Sequence, residues 1–154
     1  MSGHIESRLS ALGVVLPTPA APAANYVPYV LSKGMLYISG QIPVGPSGIE
    51  FVGTVGADLG IDDAHAAARL CAINILAQAK AALGDLDRVE RVVKLVGFVH
   101  CVAGFQDQPK VVNGASDFMV EVFGDKGRHA RSAVGAAGLP FGVGVEVEAI
   151  LEIA

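Results

Sequence analysis

Between Val143 and Ile153 the chain alternates without a break. Val143, Val145, Val147, Ala149, Leu151 and Ile153 interleave with Gly144, Glu146, Glu148, Ile150 and Glu152. Only an extended strand gives a period of two, because successive side chains there point to opposite faces. One face of this strand is continuously apolar and must be covered, and the other carries three carboxylates. The chain therefore contains a sheet with a buried side, and the remaining segments have to supply its cover.

Two segments have helical character. From Ile61 to Leu83, Asp62 and Asp63 stand in the first turn, where the helix dipole favours negative charge, and Gly84 follows as a C′ glycine. "DQPKVVNGASDFMVEVFG" gives a second helix, with Asp107 as N-cap, Pro109 in the first turn and Gly124 as the stop. Val111, Ala115, Phe118 and Val122 line one stripe of it. "RVVKLVGFVHCV" is rich in β-branched residues and reads as a central strand, and "MLYISGQIPV" as another. "GPSGIEFVGTVG" is punctuated as a hairpin or loop would be. The last two strands flank "GLPFG" and are expected to pair tightly about it. At the start, Ile5, Leu9 and Leu12 share one side of a short helix, before Pro17, Pro19 and Pro22 break regular structure. Residues 1–25 thus form an arm on a single domain spanning 1–154. The order of elements predicts an α+β fold, one mostly antiparallel sheet with two helices on one face.

Hydrophobic residues make up 52% of the 154 residues and charged residues only 17%, below the usual quarter. Such a chain is expected to self-associate through the uncovered sheet face. No apolar run reaches about 18 residues and no basic-then-apolar leader opens the chain, which points to a cytoplasmic protein. A net charge of -4 with 11 Lys and Arg and no basic cluster argues against nucleic acid as a partner. Cys71 and Cys101 stand too far apart for a cysteine zinc site, and His4, His65, His100 and His129 form no HxxxH or HxxE pair. No metal or organic cofactor is expected.

Arg131, Glu146, Glu148 and Glu152 remain. By spacing alone they belong to the wet face of a sheet, or the guanidinium holds an anion while a carboxylate handles a proton. Composition leaves both open. "RSAVGAAGLPFGVGVEVEAI", with "YISGQIPV" and "VVNGASDF", resembles the YjgF/RidA family, also called endoribonuclease L-PSP, from about Tyr26 to the C-terminus. The length and "HARSAV" are most similar to a longer subgroup of about 150 residues. The resemblance implies a chorismate-mutase-like fold, a homotrimer with clefts between subunits, and hydrolysis of small 2-imino acids, or the enamines that tautomerise to them, to 2-oxo acids and ammonia.

By the same resemblance Arg131 binds the substrate carboxylate and Glu146, fifteen residues on, activates water. Ser39 and Gly40 match the S-G-Q motif, Tyr26 the pocket tyrosine and Asn113 the asparagine of the second helix. Ala133 stands where many members carry a cysteine, and its carbonyl is left to hold the water. The chemistry is coherent: a planar guanidinium binds a carboxylate bidentately, and a carboxylate base is worth about 10²–10⁴ in rate. If the last two strands pair, Arg131 and Glu146 stand about four residues, or roughly 13 Å, apart and frame a space. Two rivals stand beside this reading. A non-catalytic module for a carboxylated metabolite needs Arg131 but not Glu146, and an endoribonuclease needs acid/base groups beside a basic groove.

Overall fold

The computed structural model describes residues 3–19 and 24–154; Pro22, one of the expected arm breakers, lies outside them. Four short strands come early: β1 (Tyr29–Ser32), β2 (Met35–Gln41), β3 (Val44–Gly45) and β4 (Gly48–Ile49). They are followed by α2 (Ile61–Leu83), β5 (Val89–His100), α3 (Gln108–Phe123), β6 (Ala130–Ala136) and β7 (Val145–Ile153), with a short helix α1 (His4–Ala11) preceding everything. β3 and β4 pair as the small hairpin expected of that glycine-rich stretch. The main sheet runs β1-β2-β7-β5-β6. It is antiparallel except for β5 and β6, and the fold is α+β.

The last strand of the sequence lies in the middle of the sheet, inserted between β2 and β5. Central placement explains its alternation. Val145, Val147, Ala149 and Leu151 are fully or nearly fully buried beneath the helices, and Glu146, Glu148 and Ile150 face the other side. The expected pairing of β6 with β7 does not occur, because β5 separates them. The cause is topological. β5, α3 and β6 form a strand–helix–strand unit, which returns the second strand parallel and adjacent to the first. The turn at Pro140–Gly142, with Phe141 at φ 58, therefore carries the chain past the end of β5 rather than closing a hairpin.

Both long helices cover one face. α2 has the length and mean hydropathy of a membrane span, 1.2 over 18 residues, yet 61% of that window is buried in this fold. Its Ala64, Ala68, Cys71 and Ile75 enter the core. α3 buries Val111, Ala115, Phe118 and Val122 as the stripe requires, each large side chain contributing about 1.5–3 kcal/mol. The helices approach closely at Gly114, where an added Cβ would lie 2.9 Å from the His65 carbonyl carbon. Asp107 holds the N-cap position of α3 but makes no capping bond; its carboxylate reaches Lys110 at 3.5 Å instead. α1 is capped from a distance: Asp87 accepts from the backbone N–H of His4 and Ile5 at 2.9 Å each, which holds its carboxyl below the usual range. Leu9 is buried and Glu6 pairs with Lys80 of α2, whereas Leu12 faces solvent.

Candidate functional site

Arg131 sits on β6, at one edge of the sheet. Its register partner on β5 is Leu95, whose own partner on β7 is Ala149. Both are buried under the helices, so the Arg131 side chain leaves the sheet on the helix side. There α3 presents Asn113, Ser116, Asp117 and Val120 at spacings of three and four, a second stripe beside the buried one. Arg131 Nη1 donates to Asn113 Oδ1 at 2.8 Å and to Ser116 Oγ at 3.1 Å. Both bonds use one nitrogen, which leaves the Nε–Nη2 edge for a carboxylate. With Arg128 and His129, these groups line an open cleft of about 310 Å³. A larger groove of about 550 Å³ runs between the arm and α2 among Leu9, Val14, Leu16 and Ala77. Its acid Glu6 and base Lys80 are already paired, so chemistry and not volume singles out the cleft at Arg131.

His129 is the fourth member of the cluster. Its Nδ1 lies 2.6 Å from the Gly127 carbonyl oxygen and its Nε2 2.9 Å from Ser116 Oγ. Burial lowers its pKa, the Gly127 bond works against that, and the charge of Arg131 lowers it further. Ser116 and His129 were not singled out by sequence reasoning. The available signal was positional: Ser116 is one helical turn beyond Asn113, and His129 precedes Arg131 by two residues, on the same side of an extended chain.

Glu146 occupies a different environment. Its register partner is Phe98, which pairs with Val134 on β6, so all three share the face away from the helices. The carboxylate lies over Gly40, where an added Cβ would meet Glu146 Cδ at 2.9 Å. A bulge in the β2–β7 ladder falls between Ile38 and Gln41 and brings Gly40 to this position. Burial raises the pKa of Glu146, and the like charge of Glu148 on the same face raises it further. Ser39 donates through Oγ to the Val27 carbonyl at 2.9 Å, tying down the segment that follows the exposed Tyr26.

The candidate residues thus divide in two. Tyr26, Ser39, Gly40 and Glu146 gather on the β2–β7 side of the sheet, whereas Arg131, Asn113 and Ala133 gather at the β6 edge with Ser116 and His129. The expectation that Arg131 and Glu146 of one chain frame a common space is incorrect: they lie on opposite faces of the sheet, because β5 intervenes and sets a different register. Glu152 is exposed and Glu148 half-buried. Cys71 is buried, and burial pushes its thiol well up. Among the described residues no group of three or more His, Cys, Asp or Glu side chains is placed to hold a metal.

Comparison with known proteins gives a consistent picture. Residues 6–148 match the family described as "YjgF/chorismate mutase-like, putative endoribonuclease". Protein TCP17 of Trypanosoma cruzi is 52% identical over 153 residues, 99% of this chain and 96% of that protein. The crystal structure of Atu1372 from Agrobacterium tumefaciens, of unknown function, is similar with a TM-score of 0.92 and 51% identity, covering 98% of this chain and 93% of that one. E. coli TdcF, solved with bound serine, is more distant at a TM-score of 0.64 and 28% identity, covering 89% and 94%. The fall from 0.92 to 0.64 sets the chain with the longer, roughly 150-residue group. This chain is a member of the YjgF/chorismate mutase-like family.

Proposed function

We propose that the protein hydrolyses small reactive 2-imino acids of the 2-aminoacrylate type, and the enamines that tautomerise to them, to 2-oxo acids and ammonia. The observation that carries the reading is the presence, on opposite faces of one sheet, of a held guanidinium with a free edge and a half-buried carboxylate of raised pKa. Arg131 binds the substrate carboxylate through Nε and Nη2, with Asn113 fixing its plane. Glu146 takes a proton from water as the oxygen adds to the imine carbon, and the Ala133 carbonyl holds that water. The same carboxyl group protonates the nitrogen of the resulting carbinolamine; the nitrogen leaves as ammonia while the carboxylate takes the hydroxyl proton, giving the 2-oxo acid. Tyr26 and the Ser39–Gly40 backbone close the pocket around the small substrate. No step calls for a metal or organic cofactor.

Because Arg131 and Glu146 face opposite sides of the sheet, the reaction needs both from different copies. The functional unit of this reading is a homotrimer whose clefts join the β6 edge of one subunit to the Glu146 face of the next. Val30, Tyr37, Phe98, Val134 and Ile150, on the sheet face without helices, supply apolar area for that contact. The bound serine of TdcF supports a ligand of amino-acid size bearing a carboxylate. On this reading we place the protein in the cytoplasm.

The test is an assay against freshly generated 2-aminoacrylate, with RNA cleavage and light scattering alongside. We expect imine hydrolysis, no turnover of RNA, and a mass three times the 15.8 kDa of the chain. A monomer, or RNA cleavage that co-purifies with the protein while imine is untouched, overturns the reading. Binding of 2-oxo acids without turnover favours a non-catalytic module instead.

A further inference from the structure

The hydrogen bonds around Arg131 have a direction that can be worked out atom by atom. The Gly127 carbonyl oxygen only accepts, so the 2.6 Å contact places the proton of His129 on Nδ1. Burial and the neighbouring guanidinium favour the neutral imidazole, which makes Nε2 a lone pair. The Ser116 hydroxyl must then donate to Nε2 across 2.9 Å. That turns the oxygen lone pairs of Ser116 toward Arg131 Nη1, at 3.1 Å. Asn113 Oδ1 takes the other Nη1 hydrogen at 2.8 Å. The charged groups around the imidazole are Arg131 on β6, Arg128 beside it in sequence and Asp117 on α3.

We propose that Ser116 and His129 are positioning residues for the anion-binding site, acting through Arg131: the neutral imidazole directs the Ser116 hydroxyl so that its oxygen, with Asn113, holds Nη1 and presents the Nε–Nη2 edge to a carboxylate. A serine and a histidine at this distance also suggest a nucleophile and its base. The geometry assigns them otherwise, since an oxygen that accepts from a guanidinium has its lone pair engaged and its nucleophilicity reduced. A hydroxyl turned by a neutral acceptor offers Arg131 a lone pair in every molecule. A freely rotating one offers it only part of the time, and the guanidinium then samples more than one plane. The ligand rests on the proposed function; the holding of Arg131 does not, and the two are tested separately.

The ligand-free test is nitrogen-15 NMR of the intact protein. We expect His129 as the Nδ1–H tautomer and slow rotation about the Arg131 Nη1 bond, faster in Ser116→Ala and slow again in Ser116→Thr. A proton on Nε2, or Arg131 signals unchanged in Ser116→Ala, overturns the proposal. The ligand test uses pyruvate, titrated into the same variants and used as a product inhibitor of turnover. Ser116→Ala is expected to weaken pyruvate about tenfold, the loss of one charge-assisted hydrogen bond, and to raise KM more than it lowers kcat. His129→Leu should weaken it severalfold and His129→Gln, whose amide oxygen can accept from Ser116, less. Equal pyruvate affinity in wild type and Ser116→Ala overturns the proposal even if both fold identically. Absence of any pyruvate affinity in the wild type counts against the 2-oxo acid reading, while the NMR result still decides whether Ser116 and His129 hold Arg131.

Discussion

The two faces of the sheet hold their polar groups in opposite ways. At β6 the guanidinium is caged: two α3 side chains hold its Nη1, and a histidine anchored to backbone turns one of them. On the other face, at central β7, no hydrogen bond reaches the Glu146 carboxylate among the described residues. Its neighbours are a glycine and a second glutamate. Saturation suits recognition, because a fixed donor plane binds a carboxylate without first having to order itself. Under-satisfaction suits proton transfer, because a carboxylate that is partly desolvated and unpaired is a better base than one in water. One site is built for geometry and the other for basicity, and a single chain keeps them on opposite faces.

The sharpest test of that division mixes defects. Glu146→Gln keeps shape and loses the base, so imine turnover should fall about 10²–10⁴-fold with pyruvate still bound. Arg131→Ala should abolish pyruvate binding and turnover together. Co-expressed, the two dead chains should recover activity. Random assembly leaves one half times one half, about a quarter, of sites with both native residues if each site joins neighbouring subunits. No recovery means that the two groups do not meet across an interface. Stability separates lost chemistry from unfolding. Burial raises the Glu146 pKa, so the folded state holds that proton more tightly than the unfolded chain, and the charged form is a cost at pH values above the raised pKa. Glu146→Gln removes that cost and should melt no lower than wild type at pH 7–8.

A smaller effect probes the Glu146 site alone. Gly40→Ala introduces a Cβ against the Glu146 side chain. The carboxylate must swing away, and the expected loss of turnover is roughly tenfold, within the range for a misplaced reacting group. Pyruvate affinity, which depends on the β6 edge, should hold. If binding and turnover fall together, the two sites are coupled more tightly than their separation suggests.

Much of this was legible in the sequence, and the main failure lies in one turn. Period two named β7, its buried residues and the placement of Glu146 away from the core. The capping pattern set α2 to Ile61–Leu83, as found. The error lay in reading "GLPFG" as a hairpin turn. Local turn chemistry favours that pairing, but β5–α3–β6 is a crossover unit, and the crossover takes precedence because it places β6 beside β5. That one choice changed the register and moved Arg131 to the opposite face from Glu146. Neighbouring strands were also inferred from the chain order alone, which hid that the C-terminal strand is central. His129 was missed because an isolated histidine carries no motif; its meaning comes from Ser116 and Gly127, which only the fold brings near.

The smallest expected effect separates the adjacent glutamates. Glu146 and Glu148 share a face of β7, and the negative charge of Glu148 adds to the burial that raises the Glu146 pKa. If Glu146 is the base, activity is lost as pH falls through its raised pKa, and the plateau above that point reflects the fully ionised group. Glu148→Gln removes the like charge and leaves burial untouched. The plateau should therefore stay as in wild type, while the acid limb of kcat/KM moves to lower pH. Glu152→Gln, at the exposed end of β7, should leave both plateau and limb in place. A shift toward higher pH in Glu148→Gln would mean that Glu148 stabilises the ionised base, and a fallen plateau would mean that it takes part in the proton transfer itself. Either result would end the assignment of the proton to Glu146 alone.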